Sequence, residues 1–211
     1  MKHHLPIFLE RGVREAEAAR SQVYAEFEAG LRASLSESHG SVTCHKGCSS
    51  CCYFPLYISL LEGVSLFRWL IDHGLWRKSL QDALRETHER VWGLSPSVWM
   101  LSLTPCPLLD AEGACIAYGG RPFVCQTTAS TGDPYYCHPH RFAEGRAGLV
   151  ERKVADGRLR AIEDRLSKDR KITQMRLPIS TAVLMAERLC KDGQAPEEIS
   201  EELLGEWLRA C

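Results

Sequence analysis

Clustered cysteines constrain this chain more than any other feature of its sequence. Eight of its ten cysteines fall into two groups of four, the first compact and the second more widely spaced. The first group has the spacing C-x3-C-x2-C-C, and its last two members are adjacent. The eight residues are Cys44, Cys48, Cys51, Cys52, Cys106, Cys115, Cys125 and Cys137. Any fold of this chain must therefore accommodate eight thiols that are clustered in two stretches of the sequence.

Both groups lie in stretches that read as loops. The first stretch is rich in Gly, Ser and Thr, which favour turns over regular structure. The second, from Leu103 to Pro139, contains many Pro and Gly residues and lacks the periodicity of a helix or strand. A segment of this kind does not form a packed core by itself. We expect a bound metal centre to hold it in place.

Thiolates are soft, charged ligands that bind zinc and iron–sulfur clusters. The short spacing Cys48-x2-Cys51 allows two sulfurs to reach one metal from a single turn. We therefore predict all eight clustered cysteines as metal ligands. His45 follows Cys44 and His138 follows Cys137, so each histidine is a candidate to ligate a metal or to hydrogen-bond a ligating thiolate. The alternative for both is an exposed polar residue.

The adjacent pair Cys51 and Cys52 adds a constraint. Successive side chains point in different directions, and two neighbouring sulfurs on one ion would close a tight, strained ring. We expect the two thiols to face different places, one completing the first group and the other reaching the second group or a second metal.

Charge and hydropathy narrow the class of partner. The formal net charge is -1 and the pI is about 6.7, which gives no electrostatic case for nucleic acid. No apolar stretch has the length of a membrane span. The N-terminal residues lack the apolar core of a signal peptide, so we expect a cytoplasmic protein. In a reducing cytosol, clustered cysteines favour metal ligands or redox groups over structural disulfides.

Apolar periodicity predicts helices on both sides of the cysteine stretches. Ser59 and Glu62 stand in the spacing of a capping box at the start of one helix. The next helix is expected from about 75 to 91, and its apolar side carries Leu80, Leu84, His88 and Val91. Pro178 and Pro196 are expected to open the last two helices.

We expect a mainly α fold, an irregular helical bundle wrapped around a loop-rich cysteine metal centre, with few or no strands. The chain is read as a single domain, 1–211. Its expected parts are a helical segment over 1–40, a cysteine core over 41–140 with a helical insert at 56–100, and C-terminal helices over 141–211.

The cysteine pattern resembles a known family. The stretches CHKGCSSCC (44–52) and CPLLDAEGACIAYGGRPFVC (106–125), with Cys137 beyond them, are similar to the YkgJ-type cysteine-cluster proteins and their CxxxCxxCC motif. These are described as zinc- or iron-chelating domain proteins. The resemblance covers roughly the central half of the chain. Within it, Arg121 could donate hydrogen bonds to a thiolate or sulfide and offset negative charge, or form an ordinary surface salt bridge.

The resemblance implies a metal centre and leaves its use open, so whether the chain is an enzyme is undecided. One branch of the family resembles a flagellin lysine N-methylase with an iron–sulfur centre and S-adenosylmethionine, but this chain is shorter and has no Gly-rich nucleotide loop after a strand. The readings that remain are a structural or sensing zinc or iron site, a [4Fe-4S] enzyme acting in methyl transfer or electron transfer, and a metal chaperone or store.

Overall fold

The computed structural model describes residues 7–38, 42–142, 144, 149–151, 161, 164–165, 175–191 and 206. Over these residues the fold is mainly helical with a few short strands, as predicted. The helices are α1 (Ile7–Ser38), α2 (Leu60–Asp72), α3 (Lys78–Val91), α4 (Pro96–Ser102), α5 (Phe123–Thr127), α6 (Pro139–Phe142) and α7 (Ile179–Lys191). The strands are β1 (Tyr57–Ser59), β2 (Thr128–Ser130), β3 (Leu149–Glu151) and β4 (Arg176–Pro178), and 3₁₀ turns occupy Ser50–Tyr53, Tyr118–Gly120 and Pro134–Cys137.

Helix α2 begins with the capping box that its sequence predicts. The Ser59 hydroxyl accepts the Glu62 backbone N–H at 3.2 Å, and the Glu62 carboxylate accepts the Ser59 backbone N–H at 3.1 Å. These bonds satisfy donors that the first turn of a helix leaves open. Almost the whole length of α2 is buried, so it is the central helix of the described fold.

Helix α3 carries its predicted apolar face, with Leu80, Leu84, His88 and Val91 all buried. It begins at Lys78, although the pattern suggested a start near Leu75. The residues between belong to the turn after α2, where Leu75 N–H donates to Leu70 O at 2.8 Å. Gly74 adopts a φ of +65° there, a conformation that side chains disfavour.

The hydrophobic core lies between α2, α3 and α7, with α1 packed on the outside of α2. At Gly63 the backbones of α2 and α7 approach so closely that an added Cβ would lie 2.6 Å from the Ala182 carbonyl oxygen. The segment 56–100, read from sequence as an insert, therefore supplies much of the core. Cys190 is 3% exposed within it, in the role of a small hydrophobe.

Two small antiparallel sheets tie distant segments together. β1 pairs with β4, with Ile58 opposite Leu177, and β2 pairs with β3. The predicted helix after Pro178 is present and begins at the next residue, because Pro178 itself ends β4. The predicted final helix after Pro196, and Cys211, fall outside the described residues except for Glu206. None of the described helices combines the length and apolar character needed to cross a bilayer.

Candidate functional site

The first cysteine loop is anchored to strand β2. Thr43 donates from both its N–H and its hydroxyl to Ser130 O, at 2.8 and 3.0 Å. Ser130 N–H in turn donates to Cys44 Sγ at 3.1 Å. Strand β2 directly follows α5, which carries Cys125. The reciprocal bonds thus connect the Cys44 loop to the segment that holds a cysteine of the second group.

The adjacent cysteines are carried by a 3₁₀ turn that meets the start of the second group. Cys52 N–H donates to Ser49 O at 2.8 Å within the turn, and Cys106 N–H donates to Cys52 O at 2.8 Å across to the second group. Gly47 precedes the turn with a φ of +94°, which lets the loop reverse between Cys44 and Cys48. The backbone itself therefore joins the two cysteine groups.

A tight hairpin brings Cys106 and Cys115 together. Asp110 Oδ1 accepts the backbone N–H groups of Glu112 at 3.1 Å and Ala114 at 2.7 Å. These bonds are the Asx-type contacts that favour Asp in turns. Beyond them, Leu109 and Cys115 form an isolated antiparallel bridge. The residues between the two cysteines therefore fold back so that their ends lie side by side.

Cys137 reaches the same region through a third 3₁₀ turn, Pro134–Cys137, which packs against Ser50–Tyr53. Aromatic contacts hold this side: the rings of Tyr53 and His138 are 5.5 Å apart, and those of Phe54 and Phe142 are 4.8 Å apart. Cys137 is buried, and it joins the other cysteines despite its distance in sequence.

All eight clustered cysteines are free thiols, and their mutual electrostatic influence centres on Cys51. A Cys51 thiolate raises the pKa of Cys44, Cys52, Cys106, Cys115 and Cys125. Cys44 also feels Cys48 and Cys137, so both groups share one common neighbour. These electrostatic interactions thus link cysteines of the first group to cysteines of the second.

Burial is the main reason that most of these thiols resist ionisation. It raises the pKa of Cys106 to about 12 and that of Cys125 well above its ordinary value, because a buried thiolate loses its hydration. Partial loss of hydration likewise raises the pKa values of Cys44, which is exposed, and of Cys115, which is half-buried, against the opposing backbone hydrogen bonds from Ser130 and Ala117. The cluster is therefore costly to ionise without a cation.

The thiols of Cys51 and Cys52 interact with each other, and the expectation that they serve different cysteine groups stays a prediction. Their side chains hydrogen-bond to each other, and this bond lowers the pKa of Cys51 to about 7 against the opposing effect of desolvation. The same bond, with burial, raises the pKa of Cys52, since Cys52 is the donor and must keep its proton. Cys51 faces both groups, whereas Cys52 is influenced by Cys106 and Cys125 of the second.

Arg121 stands beside the thiols as a source of positive charge. Its positive charge helps to lower the pKa of Cys51 and partly offsets the rise in the pKa values of Cys115 and Cys125. Its Nε donates to Tyr118 O at 2.9 Å, and its guanidinium lies 3.7 Å from the centroid of the Tyr118 ring. Its role in the site is thus electrostatic.

The two candidate histidines occupy different positions. His45 is exposed, its Nδ1 lies 3.3 Å from Thr43 O, and its own O accepts Cys48 N–H. His138 stacks on His140 with ring centroids 5.2 Å apart, besides its contact with Tyr53. These contacts place His138 in ring packing beside Cys137 and His45 in the first cysteine loop, and a role of either histidine at a metal stays a prediction.

Glu62 is a positioning residue that sequence reasoning missed. Only 6% exposed, its carboxylate accepts the Phe123 backbone N–H at 2.8 Å and the Arg176 guanidinium at 3.3 Å, beyond its bond to Ser59. It thereby fixes the start of α5, and with it Cys125, to α2 and β4. The capping-box spacing revealed the local bond, but no local pattern reveals a partner 61 residues away.

The Gly119-Gly120 pair before Arg121 has a second positioning role. A Cβ at Gly120 would lie 2.5 Å from Trp69 Cγ, so the chain passes directly over the indole of α2. Two consecutive glycines were the available sequence signal for this close approach.

The donor set fits a thiophilic metal by its chemistry, because eight free thiols with a neighbouring cation are the ligands that zinc and iron–sulfur centres use. The side-chain geometry is not preformed: within the described part of the chain, no three or more His, Cys, Asp or Glu residues are arranged to hold a metal ion. The thiols are gathered by the fold without being aimed at a single point.

Comparisons with protein-family models, with curated proteins and with solved structures each found no match to this chain. The relation to YkgJ-type proteins thus stays a prediction from the cysteine motif.

Proposed function

We propose that this chain binds a thiophilic metal, as zinc, iron or an iron–sulfur cluster, through the cysteines that surround Cys51. The observation that carries the proposal is the convergence of eight free thiols from sequence-distant loops, tied by bonds such as Cys106 N–H to Cys52 O at 2.8 Å. The similarity of the motif to zinc- and iron-chelating domain proteins supports the same proposal.

The physical argument is one of charge. Buried thiols crowd one another and stay protonated, and each successive thiolate makes the next harder to form. A bound cation makes the thiolates easier to form, because its positive charge stabilises each thiolate and each thiolate in turn stabilises the cation. Arg121 contributes in the same direction from the edge of the cluster.

Metal binding would also complete the order of the site. Because the described side chains do not form a ready set of three ligands, the metal has to draw neighbouring thiols together by rotation of their side chains. Part of the binding free energy then goes into fixing the loops, as in other proteins whose metal sites form with folding.

The test is to purify the protein under anaerobic conditions and measure zinc, iron, acid-labile sulfide and the visible spectrum. We expect stoichiometric metal, with loss of metal in Cys51→Ala. Cys190→Ala is the matched control, because it removes a buried cysteine from α7 outside the cluster. Protein that carries neither metal nor sulfide, and whose thermal unfolding ignores chelators, would contradict the proposal.

The same measurements distinguish between the three proposed uses of the site. A brown protein with iron and sulfide supports an iron–sulfur role, including the methyl-transfer or electron-transfer readings. A colourless zinc protein with slow exchange supports a structural centre, whereas fast exchange to a competing chelator supports a chaperone or store.

A further inference from the structure

A cleft of about 390 Å³ opens between α3 and the loops that carry the second cysteine group. Its volume lies within the range of small-molecule sites. Of the clustered cysteines only Cys106 lines it, so binding of a metal by the cluster does not account for the cleft.

One wall is a polar stripe of α3. Its residues recur at the three- and four-residue steps that place side chains on one face of a helix. They are Ala83, Glu86, Thr87 and Arg90. This stripe lies beside the buried face of Leu84 and His88. Helix α3 thus packs on the core with one face and borders the cleft with another.

The opposite wall comes from the cysteine loops. It includes Thr104, Cys106, Asp110 of the hairpin, and Tyr53, which directly follows Cys52. The Asp110 carboxylate is held in place because its Oδ1 accepts two backbone N–H groups. A small molecule in the cleft would therefore lie between a rigid hairpin and a helix, next to Cys106.

The charges of the lining favour a cation. Glu86 and Asp110 are acidic, and among the residues that the structure describes Arg90 is the single basic one that lines the cleft. Arg90 is already paired with Glu86 at 2.5 Å, four residues away on the same helix. The charge that this pair leaves unbalanced in the lining is that of the Asp110 carboxylate, on the wall opposite α3. We propose that the cleft binds a small molecule with a primary ammonium group, at the Asp110 carboxylate on the hairpin and opposite the Glu86–Arg90 pair of α3.

Three probes of equal chain length test the ligand class: 1,5-diaminopentane, 5-aminopentanoate and glutarate. Each is titrated into the isotope-labelled full chain and followed by amide chemical shifts. We expect saturable shifts confined to residues around the cleft, with the diamine binding at least as tightly as the aminopentanoate and glutarate weakest. Equal or tighter binding of glutarate, or the absence of saturable shifts at the cleft with the diamine, overturns the proposal.

A pair of variants tests the site itself. Glu86→Gln leaves the positive charge of Arg90 unpaired in the cleft and should weaken diamine binding roughly two- to fivefold, the size of one exposed charge interaction. Glu89→Gln removes the same charge from the exposed surface of the same helix outside the cleft, and should leave the affinity unchanged. Equal effects of the two variants would show that the amine responds only to the overall charge of α3.

Discussion

At the scale of single residues, one hydrogen bond gives the adjacent cysteines Cys51 and Cys52 opposite shifts in pKa. Cys52 keeps its proton and donates, so Cys51 ionises near neutral pH and becomes the most readily formed thiolate among the thiols whose pKa is shifted. A thiolate is the form that reacts and binds metal. Cys51 is therefore the residue from which we expect ligation of the cluster to begin.

The reactivity of Cys51 should follow this bond. In chelator-treated, reduced protein, alkylation of Cys51 should rise with pH through a midpoint of about 7, because only the thiolate reacts. Cys52→Ala removes the donor, so the midpoint should move up toward the ordinary value of 9.0. Peptide mass spectrometry after timed alkylation measures both. Cys190→Ala should leave the midpoint in place, and an unmoved midpoint in Cys52→Ala would contradict the hydrogen bond.

At the scale of elements, helix α2 contacts and positions several other elements. Through Glu62 it holds the start of α5 and strand β4, and through Trp69 it supports the turn before Arg121. Through Gly63 it meets α7 at backbone distance. The cysteine loops are thus attached to a helix that is itself largely buried, which gives an otherwise irregular region a rigid base.

Gly63 should tolerate no side chain. The Cβ of Gly63→Ala would meet the Ala182 carbonyl oxygen at 2.6 Å, and separating the helices should lower the free energy of unfolding by about 1–3 kcal/mol, the usual cost of overpacking.

The matched control is Gly30→Ala in α1. Gly30 is exposed within a helix, so alanine there should stabilise by about 0.5–1 kcal/mol through the lower entropy of the unfolded chain. Urea unfolding of both variants measures the two changes. The close packing of α2 on α7 would be refuted by similar stability in the two variants.

At the scale of the whole molecule, stability comes from two sources. The core between α2, α3 and α7 is built from apolar side chains such as Leu66, Phe67 and Leu84, all fully buried. The cysteine region between Leu103 and Pro139 relies on turns, hydrogen bonds and its anchors on α2. The first source does not depend on metal, and the second, on the proposed function, does.

Removal of metal should therefore loosen one part of the molecule selectively. On chelation, amide hydrogen exchange should speed up in residues 42–54 and 103–142, while α2 and α7 stay protected, because their protection reflects apolar burial. Exchange followed by mass spectrometry with and without chelator compares the two regions. Equal acceleration everywhere would instead indicate that the metal supports the entire fold.

Sequence alone determined the local features of this protein. The capping box at Ser59, the apolar face of α3, and the loop character of the cysteine stretches depend on residues a few positions apart, which is why composition and periodicity predict them. Tertiary structure decided the rest: that Cys51 is the common neighbour of both groups, and that Glu62 reaches Phe123. These contacts join distant segments through packing of the whole chain, and no local pattern encodes which partner packing will supply.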